Sequence, residues 1–461
     1  MAPRRFPLGL LACILLKCGA IDLDLEEILS WAAAAIFRNL ETMFQALPLR
    51  FRAVLFDRFF KVGTLLFVAT MISHVFNFLF QVTMGRMLTP ADYGTMNALL
   101  STFLIAAILF TTIAMVVTRQ ASTFKAHGQL ENIRSLLHWT YKGLYGVGLP
   151  AVLIFSLLSP AVKQFLHMDS TLPIILLGAA IVLSASFPVN LAFLGGLQHF
   201  RALAVASGSL GPLRYLLCVL CVVVGLGISG VFIGHILCYL GLFLISYWPI
   251  RRALAHVSVS PRTSHHLFSR AYPELLANLA FALMTQFDLV LVKHLFPPET
   301  VGTYAVAAIL GRAVMYLPSG LVLALFPMVA ESHVLNRNLT AVLWKALVYT
   351  LLLCGCGTLV YWLFPDFILR VLFDGKYLEA APLLAYYGIV MLPLALLMIT
   401  MNFHIARGHG RIWLVIALGA IAEVLAILLW HQNFAQILKA LFAGGTVALV
   451  LSVWPLLRAG R

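Results

Sequence analysis

Ten residues of helix advance about 15 Å, half the hydrocarbon thickness of a bilayer, and Arg214, Arg312, Glu423 and His74 all sit near that depth inside long apolar stretches. A charged group there costs about 2.5–3.5 kcal/mol on insertion scales, so each needs a partner or a use. A guanidinium fork matches phosphate oxygens and stays charged at any working pH, so two arginines suit a diphosphate held between them. A carboxylate beside a buried arginine can exchange one partner for another, which is the chemistry of ion coupling. Glu423, Asp288 and Glu274 are the candidates for that role.

His74, Asn77 and Gln81 are spaced by three and four and share one helical face, as Glu274, Asn278, Thr285 and Asp288 do further on. Both stripes read as the lining of a cavity, with His74, Asn77, Gln81 and Asn278 placed to bind substrate. The plainer alternative is that Arg214 and Arg312 pair with Glu423 and Asp288 as structural ion pairs between helices, with His74 a packing histidine.

The elements that must position these residues follow from composition. The 461 residues are 62% hydrophobic and 10% charged, with a mean hydropathy of +0.98, whereas charged residues make up about a quarter of a soluble chain. The apolar residues fall in blocks of about twenty, which excludes an alternating β-barrel and implies an all-α, polytopic membrane protein. The net charge of +14 lies at block edges rather than in one patch, a pattern of membrane topology and not of nucleic-acid binding. Cys218, Cys221, Cys238, Cys354 and Cys356 lie inside apolar blocks and read as packing residues, and no spacing suits a metal, so neither metal nor cofactor is expected.

A window of about nineteen residues predicts twelve spans, at roughly 62–84, 93–117, 142–162, 172–194, 203–224, 228–250, 273–293, 303–327, 341–363, 382–403, 412–430 and 434–457. With the first span entering from the cytoplasm, the inner segments carry eighteen Lys and Arg, among them Arg119, Arg134, Arg201, Arg251 and Arg252. The outer ones carry only Arg86, Lys163, Lys293, Arg370 and Lys376. Both termini are therefore expected in the cytoplasm. Residues 1–56 read as an uncleaved, amphipathic extension or as a start assigned ahead of Met43. Within them Asp22-Leu23-Asp24 has the spacing of a nucleotide-sugar motif, but it also suits the acidic start of a helix.

The chain also echoes itself. Leu88 and Pro90 match Leu295 and Pro297 at an offset of 207, and Gly94 and Thr95 match Gly302 and Thr303 at 208, so one insertion separates the two registers. An offset of six helices keeps both halves in one orientation. The expectation is two six-helix bundles, 57–250 and 273–461, joined by a cytoplasmic linker at 251–272 and related by a pseudo-two-fold axis along the membrane normal.

At these residues the chain resembles the Wzx-type polysaccharide and oligosaccharide-lipid flippases of the MOP exporter superfamily. The likeness rests on Gly85 to Thr95, Phe287-Asp288, Leu295 to Tyr304, Ala324 to Pro327 before Glu331, Val371 to Tyr377 leading to Pro382, and Gly195 to Gln198. It covers about 57–457. It implies a MATE-like fold and the movement of a polyprenyl-diphosphate-linked oligosaccharide across the bacterial cytoplasmic membrane. The sugar head would occupy the cavity and the prenyl tail would stay among membrane lipids. Polysaccharide polymerase and glycosyltransferases of the same pathway are the expected partners. The family aspartate of the seventh span corresponds to Asp288, but the next position, often basic in relatives, is Leu289. A multidrug or metabolite efflux antiporter is the alternative; a membrane enzyme is disfavoured because the outer connections are short.

Overall fold

The computed structural model describes residues 58–255, 257–258, 272–318, 339–407 and 411–459. Outside the described residues lie the extension 1–56, most of the linker beyond Leu254, the end of the expected eighth span with Ala324 to Pro327, and Glu331. The chain divides into two compact units, Met1–Leu65 and Leu66–Arg461. Of the first only 58–65 are described, as the opening turns of a helix; the second holds the rest of that helix and every other described element.

Every regular element among the described residues is helical. The first set is α1 (Arg58–Met87), α2 (Pro90–Ala126), α3 (Leu130–Leu157), the short α4 (Ser159–Phe165), α5 (Leu172–Ser184), α6 (Ser186–Gly196), α7 (Phe200–Cys221) and α8 (Gly227–Ala253). The second is α9 (Tyr272–Leu295), α10 (Pro298–Tyr316), α11 (Leu339–Leu363), the short α12 (Pro365–Phe373), α13 (Ala381–Ala406), α14 (Ile412–Leu429) and α15 (Phe434–Ala459). Ten helical segments among the described residues are long and apolar enough to cross a bilayer. The chain is a multi-pass membrane protein.

Local sequence explains where the helices break. The span expected at 172–194 is split at Ala185 into α5 and α6, because Pro188 has no N–H to donate and its ring clashes with the carbonyl four residues back, at Ser184. One 54-residue apolar run, Phe200–Ala253, would reach about 80 Å as a straight helix, far more than a bilayer needs. It reverses through a single π-type turn at Val222–Leu226, where Gly225 (φ 92°) and Gly227 (φ 53°) take backbone angles that cost other residues dearly. The two arms, α7 and α8, then pack on each other.

Helices before the linker pack mainly among themselves, as do those after it; α2 bridges the sets by lying along both α9 and α10. In the second set α9 packs on α14, and α10 and α11 on α13. α9 is buried on every face from Met284 to Lys293 except at Phe287, as a helix does when other helices rather than lipid surround it.

Candidate functional site

Of the polar residues of α9, Thr285 and Asp288 are buried, whereas Glu274 and Asn278 are half-buried. Asp288 is buried, and its Oδ1 accepts from Nη2 of Arg312 on α10 at 2.5 Å. Its Oδ2 accepts from two phenols, Tyr304 at 2.8 Å and Tyr387 of α13 at 2.6 Å. The other arm of Arg312 donates to Gln286 Oε1 at 2.9 Å, and that oxygen also faces the Ser101 hydroxyl of α2 at 3.4 Å. Three helices of the second set and α2 of the first therefore meet in one polar knot. Gly311 makes this possible: a Cβ there would drive into the Tyr387 ring.

Glu423 of α14 is within electrostatic reach of both Asp288 and Arg312. It is buried, and its Oε2 has no hydrogen-bond partner. Gly444 of α15 makes room for it, since a Cβ at 444 would come within 3.1 Å of that oxygen. The guanidinium of Arg312 forms an ion pair with Asp288, while Glu423 lies near the pair without contacting it among the described residues. A residue expected to bind substrate, Arg312, is instead engaged by Asp288 and Gln286.

Arg214 lies elsewhere, and no carboxylate among the described residues forms an ion pair with it. Its guanidinium sits over the Phe80 ring at 4.9 Å, and its Nε is buried without a partner. Cys218, His235 and Tyr239 of α7 and α8 lie within its electrostatic reach. α7 comes close enough to α1 for this because Gly211 donates its backbone N–H to Ser73 Oγ at 3.0 Å and leaves no room for a Cβ. On α1, Asn77 is half-buried with an unpartnered Oδ1, Gln81 faces the Tyr93 phenol at 3.4 Å, and His74 is exposed. Asn278 donates to the Glu274 carbonyl of its own helix at 2.9 Å. Glu274 is half-buried within electrostatic reach of Arg119 on α2.

At the end of the bundle that carries the α1–α2 connection, the two sets are clamped. Arg86 donates from Nε and Nη2 to the carbonyls of Leu372 and Val371, both at 2.7 Å, and lies 3.4 Å from Asp374. Lys376 answers by donating to the carbonyls of Gly85, Arg86 and Leu88, and Tyr377 donates to Gly85 at 3.2 Å. Burial pushes the Lys376 amine below the usual lysine value and the Tyr377 phenol above its own. Beside this clamp the echoing segments meet: a Cβ on Gly94 would lie 2.8 Å from Val301 and 2.9 Å from the Gly302 nitrogen, and one on Gly302 would strike the Pro90 backbone. Pro90 and Pro298 each open a helix, so the structural register of the echo is already 208 at the proline. At the same end His294 of α9 stacks on Phe165 of α4, with centroids 4.0 Å apart, and its Nδ1 donates to the Phe165 carbonyl at 2.7 Å.

Gln286, Tyr304 and Tyr387 escaped sequence reasoning. A phenol in an apolar run is indistinguishable from a packing aromatic until the acid it serves is located. Among the described residues no group of His, Cys, Asp and Glu is arranged to hold a metal ion.

The profile of the polysaccharide biosynthesis protein family matches residues 60–333, more than half of the chain. The chain belongs to this family. No curated protein gives a significant sequence match to this family member. Its fold is MATE- and MurJ-like. It is similar to an inward-facing multidrug resistance MATE family transporter at 12% identity and a TM-score of 0.72, covering 86% of this chain and 97% of the other. The lipid II flippase MurJ in an inward closed conformation aligns at 12% identity and 0.67, covering 85% and 87%. An outward-facing MATE transporter aligns at 15% identity and 0.58, covering 86% and 95%. These neighbours are transporters and a flippase, not enzymes.

Proposed function

We propose that this polysaccharide biosynthesis family protein is a flippase. It would carry a polyprenyl-diphosphate-linked oligosaccharide from the inner to the outer leaflet of a bacterial cytoplasmic membrane by alternating access, with both termini in the cytoplasm. The observation that carries the reading is the pairing of a closed outer end with an arginine, Arg214, that forms no ion pair with any described residue. The clamp from Arg86 and Lys376 joins helices of the two sets where the charge count puts the outside. A substrate would then enter from the inner face, between two bundles at 57–250 and 273–461, and the clamp would have to part before release. The higher similarity to an inward-facing than to an outward-facing relative supports this state.

In this reading Arg214 attracts the diphosphate, with Asn77 and Gln81 on the neighbouring helix as donors to phosphate or sugar oxygens. Arg312 does not share that work while Asp288 holds it. Instead Glu423 competes with Asp288 for the guanidinium, and gain or loss of a proton or sodium ion at Glu423 biases the packing of α9, α10 and α14. Glu274 and Arg119 sit between α9 and α2 and respond to the same movement.

The test is flipping of a polyprenyl-diphosphate disaccharide in proteoliposomes. Arg214→Ala is expected to lower turnover at least tenfold with the protein still folded, and Arg214→Lys to recover part of it, since a point charge replaces the fork. Unchanged turnover in both variants would end the proposal for Arg214. The second reading, a multidrug or metabolite antiporter, draws on the buried acid Glu423, and proton-driven efflux of organic cations would favour it.

A further inference from the structure

Away from the polar knot, α3 and α8 leave a slot between them. Its walls are two stacked aromatic pairs: Tyr141 with Tyr145 on α3 (5.9 Å, 7°), and Phe243 with Tyr247 on α8 (5.1 Å, 11°). Tyr141 stands edge-on to both α8 rings, at 84° and 89°. Its hydroxyl is bonded to Asn190 of α6, whose amide donates to Ser246 at 2.9 Å, so a buried polar chain fixes the ring. The cavity enclosed is about 340 Å³ and includes Arg134 and His138; a second of about 440 Å³, lined by Trp248 and Arg251, shares Tyr247 with it.

Both helices present the same end here, because Arg134 donates to the carbonyls of Leu254 and Val257 just past α8. That end is ringed with cations lying on aromatic faces: Lys142 over Trp139 at 4.9 Å, and Arg252 over Trp248 at 5.7 Å. The nearby acid is Glu131, which is exposed and accepts from Ser258 at 3.2 Å. From Arg134 to Tyr145 the slot climbs about 16 Å along α3, from the helix end into the apolar zone. Trp and Tyr with Lys and Arg mark the membrane interface, and basic pockets between helices at the cytoplasmic face hold anionic lipid head groups.

We propose that this slot binds the phosphate head group of an anionic glycerophospholipid of the inner leaflet. Arg134 and His138 line the slot and face the phosphate, Lys142, one turn beyond His138 and over Trp139, adds a neighbouring positive charge, and the aromatic walls take the glycerol and the first chain carbons. The site is separate from the Arg214 region and does not depend on the flippase reading.

The full chain in mixed-lipid nanodiscs, titrated with phosphatidylglycerol or phosphatidylcholine and followed by native mass spectrometry and thermal unfolding, tests this. Wild type should retain phosphatidylglycerol and gain thermal stability from it, and phosphatidylcholine should do neither. Each of Lys142→Gln and Arg134→Gln should weaken retention about fivefold, as expected for one cation near the surface. Lys345→Gln, on another helix, should leave it unchanged. His138→Ala with Lys142→Gln, both exposed positions, keeps the test valid if Arg134→Gln does not fold. Equal retention of the two lipids, equal retention by wild type and the double variant, or equal stabilisation by inorganic phosphate alone would each overturn the assignment.

Discussion

Arg214 and Arg312 have the same side chain in opposite surroundings, and their variants should fail differently. Arg312→Gln or Asp288→Asn alone leaves one charge buried without its counterpart, which costs about 3–5 kcal/mol; thermal unfolding in detergent should register a large loss for each. The double variant should lose clearly less than the sum of the two, because a residue pair that interacts is non-additive. Additive losses would mean that the 2.5 Å contact contributes nothing specific. The amino-acid sequence singled out Arg312 and Glu423 through their depth, and Asp288 through its place on a polar helix face and the family resemblance; the ion-pair alternative matches the observed Arg312–Asp288 contact. Which arginine finds which acid was not legible, since 24 positions separate Asp288 from Arg312 and 135 separate it from Glu423.

Elements were the most legible scale. Hydropathy located the apolar helices, and Pro188 and the glycines at 225 and 227 explain breaks that a hydropathy window smooths over. The echo between Gly94 and Gly302 was visible as a repeat, but that these glycines touch each other was not, because periodicity says nothing about which surfaces meet. Gly302→Ala puts a methyl group into the Pro90 backbone, and the clamp should be pushed toward its open form. A cysteine placed at the exposed Glu299 should then react with maleimide several times faster in the Gly302→Ala background. No change in rate would mean that the close approach does not hold this end shut.

For the whole molecule, the lysine and arginine count predicts a sidedness. Cysteine at Glu379, exposed beside the clamp, should be labelled by an impermeant maleimide in intact cells, and cysteine at Arg201 only after permeabilisation, with the exposed native Cys356 replaced by serine. The reverse pattern would invert the molecule and place the clamp on the cytoplasmic side. By itself the sequence determined that the chain lives in a bilayer as apolar helices and carries an internal echo, and it predicts a direction for those helices. It could do so because apolar length, charge bias and periodicity are local, additive signals. Only the tertiary structure decided that Arg312 is engaged while Arg214 has no counter-ion among the described residues, and that one end is closed by side chains gripping backbone carbonyls. Those outcomes depend on which helices adjoin, and a carbonyl is present at every residue, so nothing in the sequence marks the few that are gripped.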